Sequence, residues 1–178
     1  PILSIPEKEL LNDVVVLTSP TKSFNLAGIN TSVIIVGDKV LREDIQKYVY
    51  QDDIGEPNSF ACPATVAAYT YGYDWNIEMR EYVNKNRIYF TEFINAHLPR
   101  LKVVKGEATY LLWLDISSYS SDSEKFSKEL KKKVGLWVTS GHTFRGNGRE
   151  FIRLNLATNM ANIKDCCSRL MEFLKDYQ

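Results

Sequence analysis

Three observations predict an α/β fold in two parts. Two short, strongly apolar segments, residues 14–17 and 32–37, have the composition of strands buried on both faces, as in a parallel sheet. A longer segment in the middle of the chain carries apolar residues at helical spacing. Beyond it, strand and helix patterns alternate in a way that predicts a smaller α/β unit.

In the first part, a polar loop follows the first apolar segment and a helix follows the second. Pro20 lacks a backbone N–H and pushes Ser19 away from helical angles, so the first strand is expected to end there. Asp38 is a favourable N-cap for the helix after the second strand. The pattern that follows predicts a loop at residues 52–57, a helix rich in small residues at 58–71, and a long helix at 73–98.

The second part alternates strands with helices. Strand-like runs occupy residues 101–104, 110–116, 136–139 and 151–156. The capping-box pattern Ser-Asp-Ser-Glu at residues 121–124 predicts a helix that reaches Val134, and a last helix is expected over about residues 161–177. In the strand 151–156, the period-two alternation puts Ile152 on an apolar face and Arg153 on the opposite one.

Composition narrows the class of protein. Twenty-two Lys and Arg balance 22 Asp and Glu, so the net charge gives no argument for nucleic acid or an acidic membrane as a partner. The apolar runs are too short for a transmembrane helix, and the first residues lack the pattern of a signal peptide. Three cysteines indicate neither a disulfide framework nor a zinc site, and they fit a cytoplasmic protein without a metal. The chain begins with Pro rather than Met, which suggests a segment of a longer protein.

Lys22 is the first candidate for chemistry. It lies in a polar loop just beyond the end of a predicted strand, which is where ligands bind in open α/β sheets. Its amine could form a Schiff base, and the hydroxyls of Ser19, Thr21 and Ser23 could serve a phosphate. From these residues alone, a solvated surface lysine is the commoner interpretation.

Two longer segments carry a family resemblance. Residues 19–28, Ser-Pro-Thr-Lys-Ser-Phe-Asn-Leu-Ala-Gly, resemble the lysine segment of class I/II pyridoxal-phosphate (PLP) aminotransferases, and most of all the branch of cystathionine β-lyase and related C–S lyases. Residues 146–157, Gly-Asn-Gly-Arg-Glu-Phe-Ile-Arg-Leu-Asn-Leu-Ala, resemble the segment whose arginine binds the substrate carboxylate. The resemblance spans essentially the whole chain. It implies the C-terminal part of a PLP-dependent transferase fold, namely the tail of the large, mainly parallel-sheet domain followed by the small α/β domain. In the family the long helix leads from one domain into the other, so the resemblance implies a boundary near Asn86, with residues 1–85 in the large domain and residues 86–178 in the small one.

The resemblance also implies a role for each candidate residue. Lys22 would bind PLP covalently and then act as the base at the substrate Cα. Ser19, and less directly Thr21, would donate hydrogen bonds to the cofactor phosphate. Arg153 would bind the α-carboxylate, which a planar guanidinium can hold bidentately. From the strand pattern alone, Arg153 would instead be an exposed arginine in a surface ion pair.

The resemblance implies an enzyme acting on a small-molecule amino acid, by β-elimination from cystathionine or another S-substituted cysteine. A PLP-dependent aminotransferase is the alternative, because both reactions use the same residues. The complete protein is expected to be a homodimer. In the family, the phosphate loop, the aromatic that stacks on the cofactor ring and the aspartate that pairs with its pyridinium nitrogen all precede the lysine, and residues 1–13 contain no counterpart. We therefore expect this chain alone to be inactive, and a truncated, non-catalytic binding or dimerisation module is a second alternative.

Two positions depart from the family pattern. The family usually has glycine after the phenylalanine of the loop before the arginine strand, where this chain has Arg145 after Phe144. Many class I aminotransferases have an arginine eight residues after the lysine, where this chain has Asn30. The lyase branch commonly lacks that arginine, so Asn30 favours this branch.

Overall fold

The computed structural model describes residues 2–52 and 57–175 of the chain. They form two compact units, Pro1–Glu78 and Met79–Gln178, whose boundary falls inside a single helix, α4 (Tyr73–His97). The boundary predicted near Asn86 lies in the same helix. Within the described residues, no helix is both long enough and apolar enough to span a membrane.

The described part of the first unit contains two short strands and three α-helices besides the start of α4. In chain order these are β1 (Val15–Thr18), α1 (Pro20–Ser23), β2 (Val33–Val36), α2 (Lys39–Gln51) and α3 (Ala61–Tyr71). The strands β1 and β2 pair antiparallel, with Val15 opposite Val36 and Thr18 opposite Val33. As predicted, Asp38 caps α2, because its carboxylate accepts a hydrogen bond from the backbone N–H of Leu41 at 2.7 Å.

The expectation that both strands are buried on both faces is wrong for this structure. Leu17 is 72% exposed and Ile34 is 42% exposed, and Val36 is the only fully buried residue of β1 and β2. Burial on both faces requires a packed layer on each side of a sheet. Within the described residues, β1 and β2 form a two-stranded sheet with no further strand beside it, so the apolar pattern is present without the layers that would cover it.

The neighbouring helices of this unit follow the predicted pattern in part. On α2, Leu41, Ile45 and Val49 are half-buried at a spacing of four, whereas their apolar neighbours Val40 and Tyr48 are exposed. The predicted loop 52–57 falls largely on residues 53–56, which lie outside the described part of the chain.

The second unit has a four-stranded antiparallel sheet backed by helices. After α4 come β3 (Lys102–Val103), β4 (Leu111–Asp115), α5 (Ser123–Val134), β5 (Thr139–Ser140), β6 (Phe151–Asn155) and α6 (Met160–Leu174). The strand order is β3-β4-β6-β5. In the central pair, Leu112 lies opposite Leu154 and Leu114 opposite Ile152, so these four side chains share one face of the sheet.

The core of the second unit forms on that apolar face. It joins the sheet to α4, α5 and α6 through a cluster of buried side chains that includes Phe90, Ile94, Leu112, Leu114, Phe126, Leu130, Ile152, Leu154, Ile163, Cys167, Leu170 and Phe173. The rings of Phe126 and Phe173 meet edge to face at 5.1 Å. The prediction that helices after residue 121 back this sheet is therefore confirmed.

Two predicted elements of the second unit differ at their ends. The strand predicted at residues 136–139 is reduced to Thr139–Ser140, because only these residues pair with β6. The last helix ends at Leu174, and residues 176 and 177 of its predicted range lie outside the described part of the chain. Inside the unit, the fully buried amide of Asn86 donates hydrogen bonds to the carbonyls of Leu156 and Thr158, which ties α4 to the chain after β6.

Candidate functional site

Lys22 lies on α1, a single helical turn that begins directly after β1. Ser19 caps this turn, because its side-chain oxygen accepts a hydrogen bond from the backbone N–H of Thr21 at 3.1 Å. Pro20 occupies the first helical position, where its missing N–H leaves no partner unsatisfied. The residues after β1 thus form a tight turn that presents Lys22 on its surface.

The hydroxyls of Ser19 and Thr21 lie side by side in this turn. Ser19 Oγ is 2.8 Å from Thr21 Oγ1 and 2.6 Å from the carbonyl oxygen of Thr31. A serine hydroxyl has one proton, so Ser19 can donate to only one of these two acceptors at a time. When Ser19 donates to Thr21, the hydroxyl proton of Thr21 is available for a ligand; when Ser19 donates to Thr31, the contact between the two hydroxyls uses the proton of Thr21.

The amine of Lys22 has no partner within the part of the chain that the structure describes. Its side chain is exposed, and among the described residues no hydrogen bond or ion pair involves it. An amine that is accessible and unpaired satisfies the first requirement for covalent chemistry with a carbonyl compound. The same turn therefore presents a free amine next to a pair of hydroxyls.

The segment after Lys22 is anchored to the helices of its own unit. The side-chain amide of Asn76 donates a hydrogen bond of 2.7 Å to the carbonyl of Ser23. The ring of Phe24 contacts Tyr69 edge to face at 5.4 Å and stacks on Trp75 at 6.4 Å. Gly72 makes room for this ring, because a Cβ there would lie 2.8 Å from it. These anchors fix the position of the lysine turn.

Arg153 lies in the second unit, on the face of the sheet opposite the core. Its neighbours across the sheet are Trp113 on β4 and Thr139 on β5. The guanidinium carbon lies 4.9 Å from the centre of the Phe144 ring and 5.9 Å from that of Trp113. The two rings meet edge to face at 4.9 Å, so they form an aromatic corner beside the cation.

The guanidinium of Arg153 lacks an anionic partner. No carboxylate or carbonyl among the described residues accepts a hydrogen bond from it, and its Nε is buried without a partner. The surface ion pair that the strand pattern alone suggested is therefore absent from the described part of the chain. A buried N–H without an acceptor is unfavourable by about 1–3 kcal/mol, which a bound anion would relieve.

The loop that carries Phe144 is pinned to the start of α5 by Ser123. This fully buried hydroxyl lies 3.0 Å from Ser140 Oγ, accepts a hydrogen bond from the His142 N–H at 3.0 Å, and donates to the Gly148 carbonyl at 3.3 Å. Gly141 and Gly148 pack backbone to backbone, and a Cβ on either would collide with the carbonyl oxygen of the other. The loop therefore has a fixed path over β6.

Trp113, Phe144 and Ser123 are site residues that the sequence analysis did not assign. Period-two alternation with Leu112 and Leu114 in the core could have placed Trp113 on the face opposite the core. Its position beside Arg153 depends on the register between β4 and β6, which are separated by a helix and β5. That register is not readable from either strand alone.

The candidate residues divide between the two units. Ser19, Thr21 and Lys22 come together in the turn of the first unit, and Arg153 lies with its aromatic neighbours in the second. Among the described residues, no group of three or more His, Cys, Asp or Glu side chains is arranged to hold a metal ion.

Comparison with known proteins identifies a family whose sequence pattern matches this chain. Residues 5–170 match the family of class I and II aminotransferases. The chain is 32% identical over 156 residues to cystathionine beta-lyase PatB of Bacillus subtilis strain 168, an alignment that covers 88% of this chain and 40% of PatB.

Two solved structures extend the similarity to the fold. Cystalysin from Treponema denticola, whose crystal structure contains a pyridoxal 5′-phosphate cofactor, is 25% identical, with a TM-score of 0.87 over 97% of this chain and 44% of its own. The PLP-bound C–S lyase from Staphylococcus hominis is 28% identical, with a TM-score of 0.80 over 92% of this chain and 42% of its own.

These comparisons bear out the predicted α/β fold and the predicted resemblance. The chain spans less than half the length of each of these relatives. Because the family match covers nearly all of its residues, the chain belongs to the class I and II aminotransferase family.

Proposed function

We propose that this chain provides the lysine and the carboxylate-binding arginine of a PLP-dependent enzyme that cleaves a carbon–sulfur bond in an amino acid. The preferred reaction is β-elimination from cystathionine or another S-substituted cysteine. The names of the relatives support this class, since PatB is a cystathionine beta-lyase and the Staphylococcus hominis protein is a C–S lyase. We further propose that the complete protein is a cytoplasmic homodimer, and that residues 1–85 and 86–178 belong to its large and small domains.

The observation that carries the proposal is that both key side chains are unpaired. Among the described residues, neither the Lys22 amine nor the Arg153 guanidinium has a hydrogen-bonded partner. A partly buried arginine commonly finds a carboxylate or a carbonyl, whereas a side chain that binds a ligand must keep its hydrogen-bonding capacity free. Lys22 supplies an amine for covalent chemistry, and Arg153 supplies a guanidinium whose N–H groups can bind the α-carboxylate of an amino acid.

The residues of the lysine turn fit PLP. A primary amine suits the cofactor aldehyde, and the neighbouring hydroxyls suit its phosphate. Thr21 has a proton free to donate when Ser19 donates to Thr21, so Thr21 is the better placed donor, whereas Ser19 would have to give up the acceptor that it already has. PLP, when bound, supplies an electron sink that stabilises negative charge at the substrate Cα.

In this proposal, the chain's own groups bind the substrate and move its proton. Arg153 holds the α-carboxylate with parallel N–H donors, which fixes the orientation of the Cα–H bond. Lys22, in its free amine form, takes the proton from Cα. The Cβ–S bond then breaks and the sulfur leaves as the thiol. Reaction of the remaining three-carbon part of the substrate with water yields pyruvate and ammonia.

The proposal is tested with the protein expressed from its complete reading frame. Incubation with PLP and cystathionine is expected to release thiol and pyruvate in equal amounts, and borohydride reduction is expected to fix the cofactor on the peptide that contains Lys22. Lys22→Ala should abolish both results. The matched control is Lys47→Ala, which removes an exposed lysine of α2.

Two outcomes would overturn the proposal. Efficient amino transfer to a 2-oxo acid without release of thiol would assign the protein to the aminotransferases. Unchanged turnover in Lys22→Ala would remove Lys22 from the reaction altogether. The 178-residue chain, assayed in parallel, is expected to be inactive because the family's phosphate loop and ring partners have no counterpart in residues 1–13. Turnover by that chain that depends on Lys22 would contradict this part.

A further inference from the structure

The surroundings of Arg153 are aromatic where a buried arginine commonly has a carboxylate. Its guanidinium carbon lies 4.9 Å from the Phe144 ring centre and 5.9 Å from that of Trp113, and its buried Nε has no acceptor. The face of an aromatic ring attracts a cation through the quadrupole of the ring. It does not accept the hydrogen bonds that the N–H groups donate in the plane of the guanidinium, so these groups stay free. A carboxylate neighbour would neutralise the cation and occupy the same N–H groups that a ligand needs.

Both rings are held by elements that do not depend on Arg153. Trp113 follows the pairing of β4 with β6, and its neighbours along the strand, Leu112 and Leu114, are at most 1% exposed in the core. Phe144 closes a 3₁₀ turn in which its N–H donates to the Gly141 carbonyl at 2.9 Å, and Ser123 pins that turn. The aromatic corner is therefore in place before any ligand binds.

We propose that Trp113 and Phe144 are positioning residues that hold the Arg153 guanidinium for a carboxylate ligand while leaving its charge and its N–H groups free. This inference rests on the proposed function of Arg153 and adds the means by which the arginine is kept both ordered and unpaired. An arginine without such support loses more side-chain freedom when it binds a ligand, and affinity falls accordingly. The ligand class follows from this geometry. The two rings occupy one side of the guanidinium, so a monocarboxylate is expected to bind the N–H groups that the rings leave free.

The test measures carboxylate binding apart from turnover. Propionate has the carboxylate but no amine to react with the cofactor, and propionamide is its uncharged counterpart. With the PLP-loaded protein from the complete reading frame, labelled with ¹⁵N-arginine, the Nε–H signal of Arg153 is assigned from its loss in Arg153→Lys. We expect ring-current displacement of this signal in the free protein and a further shift with propionate, but none with propionamide.

Single variants then separate positioning from folding. Phe144→Leu and Trp113→Leu are expected to remove much of the ring-current displacement, to weaken propionate binding about three- to thirtyfold and to raise KM for cystathionine similarly, with a smaller change in kcat. Phe144→Tyr and Trp113→Phe keep a ring and should restore most of the affinity. Phe144 is 38% exposed, so Phe144→Leu is expected to fold even if Trp113→Leu does not.

Trp137→Leu is the matched control. Trp137 is 79% exposed and also contacts a cation, with Lys131 Nζ 3.8 Å from its ring centre, but it is not part of the aromatic corner. Its replacement should leave propionate binding unchanged. If Arg153→Lys does not weaken propionate binding, the proposed role of Arg153 fails. If Arg153→Lys weakens binding but a folded Phe144→Leu binds like the parent protein, the role of Arg153 stands and the positioning inference is wrong.

Discussion

The two units of this chain bury their apolar residues to very different extents. In the described part of the first unit, only Pro20, Val36 and Ala61 are buried. In the second unit, side chains from three helices and a four-stranded sheet form a continuous core in which Phe126 is 1% exposed and Ile152 is fully buried. The difference is not one of composition, because strongly apolar strands and helices occur in both.

This contrast shows that apolar sequence and a packed core are separate properties. Helix α3 is apolar around its whole circumference, yet Val66, Tyr69 and Tyr71 on it are more than half exposed. The lysine turn therefore lies on a unit with little core of its own, whereas Arg153 lies on a unit that is well packed. We expect the second unit to supply most of the stability of the chain, and local opening to begin in the first.

Thiol reactivity gives the largest expected difference. Cys62 in the first unit is exposed, whereas burial raises the pKa of both Cys166 and Cys167 in the second unit to about 12. A thiol with such a pKa carries roughly three orders of magnitude less thiolate at pH 8 than an ordinary thiol. Labelling with iodoacetamide at pH 8 should modify one cysteine quickly, and peptide mapping should identify it as Cys62. Rapid labelling of all three would show that the core of the second unit opens readily.

A matched pair of phenylalanines tests the contrast in stability. Phe126→Ala removes a ring that is 1% exposed and is expected to lower the free energy of unfolding by about 3–5 kcal/mol. Phe60→Ala removes a ring that is 76% exposed in the first unit and should change it by less than about 0.5 kcal/mol. Urea unfolding followed by circular dichroism compares them. Equal losses would mean that Phe60 is covered in solution and that the first unit has more core than the structure shows.

Replacement of Arg153 tests the functional side of the contrast. Charge-assisted hydrogen bonds to a carboxylate contribute about 1.5–3 kcal/mol, so Arg153→Ala should lower kcat/KM for cystathionine roughly ten- to a few-hundredfold. The absorption spectrum of bound PLP should be retained, because Arg153 is not proposed to bind the cofactor. Arg80→Ala, which removes an exposed arginine of α4, is the control. An unchanged kcat/KM would return Arg153 to the class of surface arginines.

Much of the second unit was predictable because its patterns are local. Alternation identified the core face of β6 through Ile152, and a spacing of three to four identified the inward residues Ile163, Cys167 and Leu170 of α6. The candidate residues Lys22 and Arg153 were predictable for another reason, since each lies in a segment that resembles the family.

The remainder depends on contacts that no local pattern encodes. Ser123 belongs to a capping-box pattern, yet Asp122 is the N-cap of α5 and Ser123 is instead a buried anchor for a loop nearly twenty residues away. The aromatic corner requires the register of β4 with β6 and the path of the loop that carries Phe144. The exposure of β1 was missed because a continuous apolar run does not say whether a packed layer covers each face of the strand.

The smallest expected effect concerns charge at the start of α5, in the well-packed unit. The backbone N–H of Lys125 donates to the carboxylate of Asp122 and lowers its pKa from the usual 3.8, with a further hydrogen bond from the Glu124 N–H and with Arg149 and His142 nearby acting in the same direction. A lowered pKa means that the folded state prefers the charged form. The stabilisation is therefore complete above the unfolded-state pKa and is lost as the pH falls through the lower folded-state pKa.

Asp122→Asn isolates this contribution, because asparagine is also a good N-cap but carries no charge. At pH 7 the variant should be slightly less stable than the parent chain, since it keeps the cap and loses the attraction of the charged carboxylate to Arg149. Below roughly pH 5, protonation begins to reduce the stability that the charged carboxylate contributes to the parent chain. The two unfolding midpoints should therefore converge as the pH falls past 3.8. Urea midpoints measured from pH 7 to the acid limit of folding provide the comparison. A difference that stays constant over this range would mean that the charge of Asp122 does not stabilise the fold, and that the hydrogen bonds to the cap act without help from its ionisation.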